Sequence, residues 1–244
     1  MISWALSSVL SRTRCVWHFG TLLKPMPSHI DGNSQRGYLV DAQGVRLPSV
    51  TTILNATRPQ AAREALMRWR DRLGATEAGR ISAAASRRGS MTHKQVRTYL
   101  AGENPVCPEA IRPYWESLEP VLSAVQDVSL LEKIVFHYDL GYAGKVDCVA
   151  TYQGVPCVID WKTADQPKGS IERLYDGPLQ LAAYCGAVNH SYPDQAAALR
   201  QAVLVVAIPH LPAEIFRFEP EAMMQLWQVW QTRVDQFYSR RHKR

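Results

Sequence analysis

The sequence predicts an α/β domain with a mixed central sheet, and three observations carry that reading. Residues 130–162 hold three β-like runs in close succession. Helical periodicity fills the stretch before them and recurs after them. A further continuous apolar run, 202–208, reads as a buried strand that returns to the same sheet after a helix.

Along the chain, 37–40 and 45–47 read as a short hairpin around Asp41-Ala-Gln-Gly44. Ser49 or Thr51 is suited to N-cap a short helix running through Leu54. Helices are expected over about 60–73, 77–100 and 108–126, with Pro105 and Pro108 punctuating the last gap. Strands are expected over 130–138, 145–152 and 155–162, a helix over 178–189, and strands over 202–208 and 214–218. The last helix carries Met223, Leu226, Trp227, Trp230, Val234 and Phe237 at helical spacing, an arrangement for packing rather than base stacking.

Composition sets the frame. The 244 residues are 46% hydrophobic and 20% charged, enough apolar side chain for one sizeable core. One domain is expected over 31–244, preceded by an acid-free, serine-bearing leader or disordered extension over 1–30. Its parts are a helical portion over about 49–127, a sheet core over about 128–218 and a terminal helix over about 219–240. No run approaches the ~20 apolar residues that span a bilayer, so no membrane partner is expected. Five scattered cysteines without a C-x-x-C pair argue against a disulfide framework or a zinc or iron–sulfur knuckle.

The formal charge is +6, and it is concentrated. Between Arg58 and Arg97 ten basic residues, Arg88 among them, face only Glu64, Asp71 and Glu77. Leu66, Trp69 and Leu73 fall on one helical stripe within that stretch. A charge run is usually a solvated face, but beside an anion-processing site it becomes a phosphate track.

The chemistry lies in Gly144-Lys-Val-Asp147 and Val158-Ile-Asp160-Trp-Lys162. Alternate strand residues share a face, so Asp160 and Lys162 point the same way. If Gln153-Gly154 is a two-residue turn, Tyr152 pairs with Val155, Asp147 lies opposite Asp160, and Lys145 opposite Lys162. Carboxylates so opposed have Cβ atoms only ~5 Å apart and repel, and a bound cation is the simplest compensation. Hard oxygen ligands with room for water suit Mg²⁺ or Mn²⁺. A turn at Asp139-Leu140 would add Glu132 opposite Asp147, while His93 on a basic helix is, by itself, an ordinary surface or core histidine.

The ordered set His93, Glu132, Asp147, Asp160-Trp-Lys162 and Gln180-x-x-x-Tyr184 resembles the RecB-type PD-(D/E)XK nucleases. Longer stretches, 47–54, 148–163 and 178–190, resemble the branch containing the mitochondrial genome maintenance exonucleases and their bacterial relatives. The resemblance covers about residues 37–238. It implies a restriction-endonuclease-like core and a Mg²⁺- or Mn²⁺-dependent exonuclease acting on single-stranded or flap DNA in repair or replication. Asp147, Asp160 and Lys162 would be catalytic; His93, Glu132, Asp147 and Asp160 would hold metal. Ser49, Thr51, Arg88, Gln180 and Tyr184 would contact DNA, with the basic helices as a channel wall. A monomer in a bacterial cytoplasm is expected, with mitochondria as the alternative location and a helicase or polymerase as a supporting partner. Two competing readings are a non-catalytic DNA-binding module on the same fold and an RNA-processing nuclease.

Overall fold

The structure is a computed structural model that describes residues 33–35, 37–193 and 199–241. The expected leader at 1–30 and the tail residues Lys243 and Arg244 lie outside the described residues. Three short strands open the fold: β1 (Asn33–Gln35), β2 (Tyr38–Val40) and β3 (Arg46–Pro48), an antiparallel meander. The turn after β2 is tied by Asp41, whose Oδ1 accepts the N–H groups of Gln43 and Val45.

Helix α1 (Val50–Ala56) begins at the N-cap Ser49, whose hydroxyl accepts the Thr52 N–H. Helices α2 (Gln60–Leu73) and α3 (Ala75–Leu100) meet at Gly74, whose φ of 79° suits a residue without Cβ. The single helix expected over 108–126 is instead a 3₁₀ turn (Glu109–Ile111) followed by α4 (Arg112–Leu122). The next strand already starts at Val125, so the last helical residues assigned from sequence belong to the sheet. Pro113 stands in the first turn of α4 and Pro120 inside the helix near its end, and the polar run Gln126-Asp127-Val128-Ser129 hid the strand.

The main sheet is β4 (Val125–His137), β5 (Tyr142–Tyr152), β6 (Val155–Thr163), β7 (Ala202–Ile208) and β8 (Leu211–Phe218), in that spatial order. Only β6 and β7 pair in parallel, through α5 (Gly177–Ser191); the other neighbours are antiparallel. The sheet is therefore mixed, as the sequence predicts.

Alternation along β7 assigns the faces. Leu204 and Val206 join the core beneath α1, α5 and the closing helix α6 (Pro220–Arg241). Val203, Val205 and Ala207 join the core under α3 and α4. Trp230, Val234 and Phe237 are buried, so the aromatic stripe of α6 is core. Cys148, Cys157 and Cys185 are buried free thiols.

Candidate active site

The β5–β6 turn sets the register predicted from sequence: Tyr152 pairs with Val155 and Cys148 with Ile159. The ladder then stops, one residue short of the acidic pair. Past that point the Asp147 side chain replaces a backbone partner, its Oδ2 accepting the Trp161 N–H at 3.1 Å. Lys145 and Lys162 consequently do not pair as expected. Lys145 forms an ion pair with Glu132, relieving the like-charge contact that continued pairing would impose.

On β4, Leu131 pairs with Cys148 and Lys133 with Val146, which puts Glu132 level with Asp147. Glu132 itself takes φ 54°, a left-handed conformation that costs a non-glycine residue about 1–3 kcal/mol. A two-residue register shift between Gln126 and Leu130 precedes it. Helix α3 brings His93 over these acids, with Nδ1 3.3 Å from Asp147 Oδ1 and 3.6 Å from Glu132 Oε1.

Electrostatics tighten the cluster. Burial opposes the charge on His93, but the two carboxylates outweigh it and lift the imidazole pKa to about 10. Burial likewise opposes ionisation of Asp147 and Glu132; His93 holds both below their ordinary values, helped by Lys162 and Lys145 respectively.

Asp160 is 1% exposed, and neither carboxylate oxygen accepts a hydrogen bond of ordinary geometry. Its one close partner is the Lys162 ammonium, 2.5 Å away. Burial and the Asp147 charge push its carboxyl up to about 6 against the pull of Lys162. Lys162 is held above its ordinary value by Asp160 and Asp147, despite its own burial.

Helix α5 extends the chain of contacts. Lys162 Nζ donates to Gln180 Oε1 at 3.1 Å, and Gln180 Nε2 donates to the Tyr184 hydroxyl at 2.6 Å. Burial raises the Tyr184 pKa well above its ordinary value, so the phenol stays neutral.

Two cavities meet these residues. One, of about 510 Å³, is lined by Glu132, Lys145, Asp147 and five α3 residues including His93 and Arg97. The other, of about 1010 Å³, has Lys162 and Gln180 on its wall, with Thr51, Arg58, Arg72 and Lys168.

Other site residues from sequence stand differently. Ser49 is absorbed in capping: besides accepting from Thr52 it donates to the Thr52 hydroxyl at 2.9 Å and lies 3.0 Å from that of Thr51. Arg88 is tied to Asp165 at 2.9 Å and Thr163 at 3.3 Å, with its guanidinium over the Tyr114 ring. Neither is among the residues lining the two cavities. Lys145 and Lys168 were not singled out by sequence reasoning as site residues. Lys145 was legible in principle, since it shares a strand face with Asp147; Lys168, in a loop, left no periodic signal.

Among the described residues, His93, Glu132 and Asp147 form a group whose ligand atoms all lie within 4.8 Å of one another. Asp160 stands outside that group, with the Lys162 ammonium as the one close partner of its buried carboxylate. Carboxylate oxygens with one imidazole suit a hard or borderline divalent cation, so the residues present fit such an ion.

The mixed sheet thus carries Asp147 and the Asp160–Lys162 pair on adjacent strands, with Gln180 and Tyr184 supplied by the following helix. Residues 52–242 match the PD-(D/E)XK nuclease superfamily, and the chain belongs to that superfamily.

Its relatives include the mitochondrial genome maintenance exonuclease 1 proteins of Mus musculus, Xenopus tropicalis and Homo sapiens. Identities are 34%, 34% and 33% over 86%, 81% and 78% of this chain. The matches cover 64%, 59% and 58% of those proteins, so the chain spans about three fifths of their length. The solved structure of SSO0001 is more distant, at 14% identity and a TM-score of 0.39 over 70% of this chain and 69% of its own.

Proposed function

We propose that this chain is a metal-dependent exonuclease that hydrolyses phosphodiester bonds of single-stranded DNA, flaps included. The observation that carries the reading is the buried Asp160–Lys162 pair beside the His93, Glu132 and Asp147 group. A fully buried carboxylate whose one close partner is a single lysine ammonium costs stability and needs a chemical reason.

His93, Glu132, Asp147 and Asp160 would hold one or two ions. Bound Mg²⁺ or Mn²⁺ supplies charge stabilisation at the attacked phosphate and the departing oxygen. The chain's own residues do the rest. Lys162 orients the attacking water and offsets negative charge growing on the phosphate oxygens. Gln180 holds the ammonium in place, and Tyr184 holds Gln180. Water attacks phosphorus and gives up a proton as the new phosphorus–oxygen bond forms, the ester bond breaks, and the leaving oxygen takes up a proton in its place.

The substrate assignment draws on the relatives, which are named as exonucleases of mitochondrial genome maintenance. Those names support a role in DNA replication or repair and favour the mitochondrial alternative over a bacterial cytoplasm. Thr51 and Gln180 reach the large cavity beside Arg58, Arg72 and Lys168, where a strand would track. A helicase or polymerase would present such strands, and the chain would act as a monomer. Among the described residues no helix is long and apolar enough to cross a membrane.

The test is Lys162→Ala on labelled single strands. The proposal expects binding within about threefold of wild type and cleavage lowered by about 10²–10⁴-fold. Cleavage at the wild-type rate would remove the role assigned to the lysine. Wild-type binding without cleavage in any metal would favour the non-catalytic module, and preferential cleavage of RNA would favour the RNA-processing reading.

A further inference from the structure

The large cavity has a wall that the catalytic reading does not use. Helix α2 contains no buried residue in its fourteen, although Leu66 and Trp69 fall on one apolar stripe. That stripe does not enter the core. Ala62, Ala65, Leu66 and Trp69 line the cavity instead, with Trp69 half-buried.

A second aromatic lines the same cavity from a different element. Tyr175, between the 3₁₀ turn Ile171–Leu174 and α5, is 83% exposed. Its backbone takes φ 55°, a conformation in which glycine or asparagine is the usual occupant and a tyrosine is strained. Holding a solvent-facing aromatic there gains nothing from packing.

Charge completes the surface. Arg58, Arg72, Lys162 and Lys168 line the cavity, and among its described lining residues the one acid is Asp176, which lies 3.6 Å from Arg233. Lys168 is fixed by its backbone: its N–H and that of Gly169 donate to the Glu214 carboxylate at 2.6 and 2.8 Å. Its ammonium lies 5.5 Å from the centroid of the Tyr175 ring.

Aromatic rings that line a basic groove suit a chain whose bases are unpaired. A single strand offers phosphates to the cations and base faces to the rings, whereas a duplex hides its bases in the stack. We propose that Trp69 and Tyr175 are base-stacking residues that make unpaired nucleobases, and not phosphates alone, a determinant of binding next to Lys162. This inference rests on the nuclease reading and adds to it the feature of the substrate that is recognised.

The experiment measures binding in EDTA of a labelled oligothymidylate and of an equally long strand of abasic tetrahydrofuran sites. Both carry the same phosphates; only one carries bases. Wild type should prefer the base-bearing strand by at least about tenfold. Trp69→Ala and Tyr175→Ala should each lose about fivefold or more on that strand and leave the abasic affinity unchanged. Trp69→Phe and Tyr175→Phe, which keep a ring, should retain most of the preference and guard against a folding defect in the alanine variants. Arg72→Ala should weaken both strands alike.

Equal affinity of wild type for the two strands, or alanine variants that weaken both equally, would overturn the stacking role while leaving the nuclease reading intact. A wild type that bound neither strand would overturn both.

Discussion

Gly144 lies directly against the Tyr184 ring: a Cβ built on it would sit 2.6 Å from Cε1 and 2.7 Å from Cδ1 of that side chain. The absence of a side chain at the start of Gly144-Lys-Val-Asp147 lets the ring rest on β5. From there Tyr184 holds Gln180, and Gln180 holds Lys162.

Gly144→Ala should therefore act on catalysis through two intervening residues. We expect a stability loss of about 1–3 kcal/mol from overpacking and a fall in kcat larger than that loss explains. Chemical denaturation and single-turnover cleavage, run on the same preparation, separate the two. Wild-type kcat in a folded variant would show that the ring's position does not matter.

Gln180→Leu removes the partner of Lys162 while preserving volume. It should lower kcat about 10–100-fold with little change in strand affinity, as loss of an orienting partner does. Tyr184→Phe keeps the ring and deletes the hydroxyl, so its effect should be smaller. Comparing kcat and Kd for the two variants checks the order; a larger loss for the phenylalanine variant would break the proposed relay.

Metal should stabilise the fold by mass action. At a hundred times Kd, Mg²⁺ or Mn²⁺ adds about 2.7 kcal/mol, or about 5–10 °C in Tm for a chain of this size. Asp147→Asn and Glu132→Gln should abolish most of that shift without loss of secondary structure. Differential scanning calorimetry with and without metal reads it directly, and an undiminished shift in both variants would place the ion elsewhere.

A separate pH dependence should arise at the β4–β5 turn. Burial, with a smaller contribution from His190 stacked at 4.3 Å, lowers the His137 pKa to about 4. Asp139, 3.7 Å from His190, opposes the shift, and Tyr142 and Trp227 cover the ring faces without charge. A histidine with a depressed folded pKa favours the native state fully above its unfolded value near 6.5, and that contribution is lost as pH falls toward 4. Between pH 7.5 and 5 the loss should be of the order of 1 kcal/mol, discounted for partial exposure. His137→Phe should flatten the urea-midpoint difference between those pH values; an unchanged difference would assign the dependence to other groups.

The sequence made the centre of the site legible because a two-residue turn propagates its register. Gln153-Gly154 puts Cys148 opposite Ile159, and Asp147 follows by counting. What counting could not show is that the ladder ends there, with the Asp147 carboxylate spent on the Trp161 N–H and Lys145 turned toward Glu132. Those outcomes depend on electrostatics between strands rather than on periodicity.

Helix α2 shows the opposite limit. Its stripe reads as helical, but a period cannot tell whether the apolar face meets a core or a cavity. Arg88 and Ser49 mark the same gap: each has a residue type suited to phosphate, and each is engaged by protein groups far away in sequence or by its own helix start.

The most direct test of the account is cleavage of end-labelled single-stranded and duplex DNA with Mg²⁺, Mn²⁺ or EDTA, comparing wild type with Asp160→Ala. The account expects wild type to shorten single strands in either metal, to spare them in EDTA, and to lose that activity with Asp160→Ala. Cleavage that survives EDTA, or an Asp160→Ala variant as active as wild type, would contradict it.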